Sequence, residues 1–192
     1  MRTFGKMLKT AVIFCAVMMG LCSFLYPMAL TGVSQLTMKE KANGSLINKN
    51  GDPVSSAEEA VGSELLGQAF TEDYYFRGRV SSSFNYGNSN PDLKARVKEN
   101  LEAFLESHPG VKKEEIPSDL LTASGSGLDP HISPEAARIQ IAAVARNSGL
   151  SEEKVKEIVE GNTEHKFLGI FGEERVNVLK CNLEVARAMG LI

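Results

Sequence analysis

The chain has 192 residues, 23% of them Asp, Glu, Lys or Arg, and a formal net charge of −3. That balance excludes a nucleic-acid binder, which needs clustered Lys and Arg to replace the counterions of the phosphate backbone. Cys15, Cys22 and Cys181, with His108, His131 and His165, are too few and too scattered for a disulfide framework or a zinc site.

The first element is an apolar run, Thr10 to Leu30, which carries no charged side chain. About 20 such residues are what an α-helix needs to cross a bilayer. Arg2, Lys6 and Lys9 precede the run, and the next charge is Lys39. The basic bias predicts a cytoplasmic stub over residues 1–9, a transmembrane helix over 10–31 and an extracytoplasmic domain over 32–192, in the cell membrane. The first nine residues carry +3, which leaves −6 for the rest. A cleaved signal peptide would have a shorter apolar region ending in small residues, whereas this one ends S-F-L-Y-P-M-A-L. Cys22 lacks the small preceding residue that a lipidated cysteine requires.

After the span, Thr31 to Asn43 reads as a polar stalk. Ser45 to Ile47 reads as a short strand, followed by an Asn-Gly turn at Asn48 to Asp52 and a return strand. Ser56 and Glu59 have capping-box spacing, so Ala57 to Leu66 is open between helix and strand, Gly62 and Gly67 weighing against helix. Tyr74, Tyr75 and Phe76, followed by Arg77 and Arg79, form the densest aromatic cluster. Ser81 to Asn90 is loop by composition. Asn90 as N-cap, Pro91 at the first position and Leu93, Val97, Leu101 and Leu105 predict a helix ending at His108. Ile116 to Pro130 is glycine-rich and non-helical. Ser133 opens a helix from Pro134 to Asn147, Ser151 caps the next, and Arg175 to Met189 reads as the last helix, with Lys166 to Gly172 a strand or turn between them. Several helices with few strands give an α+β class: one N-terminal transmembrane helix and a single α+β domain.

The run Thr122 to His131, TASGSGLDPH, admits three readings. A phosphate-cradling loop would use its glycines to aim backbone N–H groups at an anion, but the run lacks the P-loop lysine, and its helix starts only beyond Ser133. A hydrolase would use Ser126 as nucleophile with Asp129 and His131, but the run is not G-x-S-x-G. A plain turn needs only glycine dihedrals, Asx bonding and stiffening by Pro130 and Pro134. The helix pair from Pro134 to Glu160 could mimic a DNA-reading motif, which its acidic second helix excludes. The residues offer no self-sufficient active site.

The single span, Gly62 to Gln68 (GSELLGQ), Tyr75 to Arg79 (YFRGR), Thr122 to Ala137 (TASGSGLDPHISPEAA) and Val176 to Asn182 (VNVLKCN) together resemble the C subunit of the Kdp potassium-transporting P-type ATPase, over nearly the whole chain. Val80 stands where relatives commonly have proline, and the loop Ser81 to Asn90 is shorter than theirs. The resemblance implies a non-catalytic subunit of a hetero-oligomeric membrane complex for potassium transport, whose partners are the ATPase subunit and the channel-like potassium-binding subunit. It implies a catalytic chaperone that raises the ATPase subunit's affinity for ATP, with no tightly bound cofactor and ATP held only in a transient complex. The alternative is a structural cap or assembly subunit at the outer mouth of the potassium-conducting subunit, without nucleotide contact. Tyr75, Phe76, Arg77, Arg79, Ser126, Asp129 and His131 are the expected partner contacts.

Overall fold

The computed structural model describes residues 2–81 and 85–192, and divides into two units, Met1–Gly44 and Ser45–Ile192. The first unit is almost entirely helical: α1 (Arg2–Met19), a π-helical stretch (Gly20–Leu25), α2 (Tyr26–Thr37) and a single turn, α3 (Lys39–Ala42). The span-length helix, Thr3–Thr37, is 35 residues long, with a mean hydropathy of 2.0 over its most apolar window and none of that window buried against protein. At 1.5 Å per residue that is about 50 Å, longer than the roughly 30 Å of a hydrocarbon core. The helix therefore runs past both ends of the apolar stretch, and the expected stalk is helical through Thr37. Along that continuation Ser34 Oγ donates to Leu30 O at 2.7 Å and Thr37 Oγ1 to Val33 O at 2.8 Å, so both hydroxyls are satisfied within the helix. The π stretch sits just before Pro27, whose ring clashes with the carbonyl four residues back in a regular α-helix, and widening the turn relieves that clash.

In the second unit, β1 (Leu46–Ile47) pairs antiparallel with β2 (Gly62–Ser63), in register Leu46 with Ser63. The Asn-Gly turn forms as expected: Asn48 Oδ1 accepts from the N–H groups of Asn50 and Asp52, and Gly51 takes φ +77°. The return strand is reduced to one bridge, Ile47 to Pro53, because proline has no N–H to extend a ladder. Residues 57–66 form turns around β2 rather than a helix. Here α4 (Pro91–Ser107) starts as predicted, with the Asn90 side chain accepting from Asp92 N at 2.8 Å. Leu101 and Leu105 are half-buried on its stripe, while Phe104 is the fully buried anchor.

A second sheet has β5 (Arg175–Asn177) in the middle, flanked antiparallel by β3 (His131–Ile132) and β4 (Thr163–Glu164). The expected helix from Pro134 is broken into α5 (Pro134–Arg138) and α6 (Ile141–Ser148). At the break the Gln140 side-chain amide takes the Ala136 carbonyl that its own N–H would claim in a continuous helix, and the Gln140 N–H turns to Ala137 O instead. Gly149, at φ +74°, ends α6. Ser151 caps α7 (Glu152–Gly161), which buries Val155, Ile158 and Val159. The last helix, α8 (Val178–Ala188), begins three residues later than predicted, with Asn177 as its N-cap.

Two faces of α8 are buried, which makes it the centre of the domain. Val178, Cys181 and Val185 enter the main core with Phe76, Phe104, Ile132, Val144, Val155 and Ile158. Leu179 and Leu183, one turn apart on another face, close over Ile47.

Candidate functional site

The four sequence motifs meet around the start of α8. Tyr75 to Arg79 passes through the core without joining either sheet, and side chains supply the backbone hydrogen bonds of Phe76 and Arg77. Asn182 accepts from Phe76 N–H at 2.8 Å and donates to Phe76 C=O at 3.0 Å. Gln140 does the same one residue on: Oε1 accepts from Arg77 N–H at 2.8 Å and Nε2 donates to Arg77 C=O at 3.1 Å. Both amides are buried, at 2% and 0% exposure, and neither was singled out from the sequence. A buried amide at a helix break or on an otherwise apolar helix face was the available signal.

This clamping decides what the expected contact residues can do. The Phe76 ring is 1% exposed and belongs to the core, which corrects its assignment to a contact surface. Tyr75 is half-buried against Phe70 and Tyr74, and its phenol is raised above the usual tyrosine range by burial, with Tyr74 and Glu72 adding to the effect. Arg77 reaches outward to Asp73 at 3.0 Å. Arg79 points to the central turn, with Nη1 3.4 Å from Asp129 Oδ2 and Nη2 donating to Ala123 O at 3.3 Å.

Asp129 is the hub of the turn: Oδ1 accepts from His131 N–H at 3.0 Å and lies 3.3 Å from His131 Nδ1. Ser124 Oγ accepts from Asp129 N–H, Ser126 Oγ accepts from Leu128 N–H, and Gly127 N–H, with φ +72°, bonds Ser124 O. The N–H groups of Gly127, Leu128, Asp129 and His131 are thus committed to the turn itself. A phosphate-cradling loop would aim them at an anion, so these four groups give that reading no support. The hydrolase reading fails on partners: the Ser126 hydroxyl engages Ser124 and Leu128 N–H, while His131 engages Asp129 and, at 3.5 Å, Asn177. The plain turn is the reading that stands.

Further bonds fasten the first motif to the others. Gly67 N–H donates to Leu128 O at 2.7 Å, Asn177 Nδ2 donates to Glu64 O at 3.0 Å, and Lys180 pairs with Glu64 at 2.9 Å. A Cβ on Gly67 would lie 2.7 Å from Asp129 O, so glycine is what allows this approach. Of the expected loop Ser81 to Asn90, residues 82–84 lie outside the described residues, and Asn85 Nδ2 donates to Gly125 O at 3.1 Å. No group of three potential metal ligands occurs among the described residues.

The model of the family described as "K+-transporting ATPase, c chain" (KdpC) matches residues 8–187. The chain belongs to the KdpC family. The KdpC subunit of the potassium-transporting ATPase of Clostridioides difficile strain 630 is 49% identical, with 97% of this chain and 100% of that one covered. That of Clostridium kluyveri is 44% identical, covering 100% and 98%, and that of Caldanaerobacter subterraneus is 46% identical, covering 94% and 95%. In this KdpC chain, the quoted motifs are therefore the parts that lock one another in place.

Proposed function

We propose that the chain is a non-catalytic accessory subunit, tethered by its apolar helix with the amino terminus in the cytoplasm and the domain outside the cell membrane. From there it acts on the ATPase and channel-like potassium-binding subunits of the transport complex. It serves as a catalytic chaperone, raising the ATPase subunit's affinity for ATP. No cofactor is tightly bound. Coupling runs through the partner subunits, since a subunit can bias another's equilibrium without touching its ligand. The observation that carries the reading is the hydrogen-bond circuit of the central turn, in which the N–H groups of Gly127, Leu128, Asp129 and His131 serve the fold rather than a substrate. Tyr75, Arg77, Arg79, Asp129 and His131 are partly exposed and Ser126 is exposed, and these are the contacts through which it would bias a partner.

A structural cap at the outer mouth of the potassium-conducting subunit is favoured by a different feature. Leu65, Leu66 and Leu128 are about half exposed, and the Gly67 to Leu128 hydrogen bond draws their two segments together, an apolar surface of the kind that docking covers. ATP binding to the complex with and without this chain separates the two readings. The chaperone reading expects ATP affinity to fall about tenfold on removing the chain while the other subunits stay associated, a typical coupling. Unchanged ATP affinity with a scattered complex supports the cap.

A further inference from the structure

The loop between β4 and β5 plays no part in the circuit described above. Lys166 to Glu173 folds back as a small hairpin of its own, with Phe167 bridged to Phe171. Leu168 and Gly169 both take positive φ, +54° and +72°, and Ile170 N–H closes the turn on Phe167 O at 3.2 Å. Such a turn favours Asn-Gly, and a leucine in its first central position is conformationally disfavoured. The strained position is therefore occupied by a large apolar side chain that is 75% exposed, and its neighbours Phe167, Ile170 and Phe171 are 71%, 77% and 62% exposed. Backbone strain held for the display of one side chain is an observation that points to function.

From this finger we infer that the tip, Phe167 to Phe171, is a second membrane contact, inserting into the interfacial layer of the bilayer that the amino-terminal helix crosses. This rests on the reading of that helix as a span. Two features favour lipid over a protein surface. Four of the five N–H groups from Phe167 to Phe171 are bonded within the hairpin: Phe167 to Phe171 O, Gly169 to Lys166 O, Ile170 and Phe171 to Phe167 O. Those bonds lower the cost of leaving water, while the carbonyls of Leu168, Gly169 and Ile170, which accept nothing within the hairpin, hold the tip at interfacial depth, where water and headgroups still reach them. Charge begins abruptly at the base and is paired within the collar there, with His165 to Glu174 at 2.8 Å, Lys166 to Glu173 at 3.3 Å and Arg175 to Glu164 at 2.6 Å. A self-paired collar presents little to a complementary protein surface and marks a water boundary. The apolar part is about the depth of an interfacial insertion, 5–10 Å.

The chain contains no tryptophan, so one substitution gives a single reporter. The full chain carrying Phe171→Trp is reconstituted into phosphatidylcholine vesicles with and without brominated acyl chains, and Phe14→Trp reports on the span in parallel. The expected result is blue-shifted emission from Phe171→Trp, quenched at least about twofold by bromine. Adding Leu168→Asn, which suits the turn better, should leave thermal stability equal or higher while at least about half of that quenching is lost. Quenching of Phe14→Trp with water-like, unquenched emission from Phe171→Trp overturns the inference and leaves the span standing. Absence of quenching at both positions removes the span reading and the inference with it. A blue shift without bromine quenching also overturns it, the tip then being covered by protein, a second copy included. Ile170→Trp repeats the reading should Phe171→Trp fail to fold.

Discussion

Asn182→Ala is the sharpest test of the fold that carries the motifs. The substitution removes both hydrogen-bond partners of Phe76 at once, and that residue is 1% exposed, so water cannot replace them. Each buried backbone group left unpaired costs about 1–3 kcal/mol, which gives about 2–6 kcal/mol for the pair. For a domain of this size, each kcal/mol moves the melting midpoint by about 2–4 °C, so a drop of about 10 °C is expected. Asn182→Asp tests the same geometry differently. It keeps an acceptor for Phe76 N–H but sets a buried carboxylate against Phe76 C=O, and should destabilise at least as much. Urea unfolding of the detergent-solubilised full chain, followed by circular dichroism, measures both variants. A loss under about 0.5 kcal/mol for Asn182→Ala would refute the claim that side-chain amides stand in for a strand partner at Tyr75 to Arg79.

Gln140→Ala should behave similarly, and because the two amides clamp adjacent residues, the double variant should lose less than the sum of the singles in a double-mutant cycle. His108 is 4% exposed and stacked on Phe104, and burial, chiefly, lowers its pKa below the ordinary value. The unfolded chain then takes up the proton first, so stability should fall as pH drops through about 6.5 and level off below the folded value; a His108→Gln variant with the same slope in that window would contradict this. Gly67→Ala should lose about 1–3 kcal/mol, since its Cβ meets the Asp129 carbonyl, whereas Gly62→Ala meets only the movable end of Gln68 and should be milder by denaturant midpoint. Burial pushes the Cys181 thiol up, so in a chain with Cys15→Ser and Cys22→Ser, thiol labelling should appear only on unfolding.

Local chemistry made several elements legible. Asn90 with Pro91, Ser133 with Pro134, and Ser151 with its acidic first turn each mark a helix start, because a cap satisfies N–H groups that nothing else nearby can reach. The apolar run was equally plain, since its length and lack of charge need no tertiary context. Its helical continuation to Thr37 was not, because the polar residues beyond Leu30 carry no periodic signal and the helix simply propagates through them.

The sequence by itself determined the α+β class, the membrane-length helix, most helix starts and, through its motifs, the family. Only the tertiary structure decided the rest, because each remaining feature depends on partners far away along the chain. Strand β5 is extended, despite lying in a helical pattern, since β3 and β4 pair with it on both sides. The helix after Pro134 breaks because Gln140 serves the Arg77 backbone, 63 residues away. Phe76, which looks like an exposed aromatic beside two arginines, is core because Asn182, 106 residues on, satisfies its peptide groups. Periodicity and capping report a residue's neighbours in sequence, while a buried side-chain amide reports a neighbour that only folding brings near.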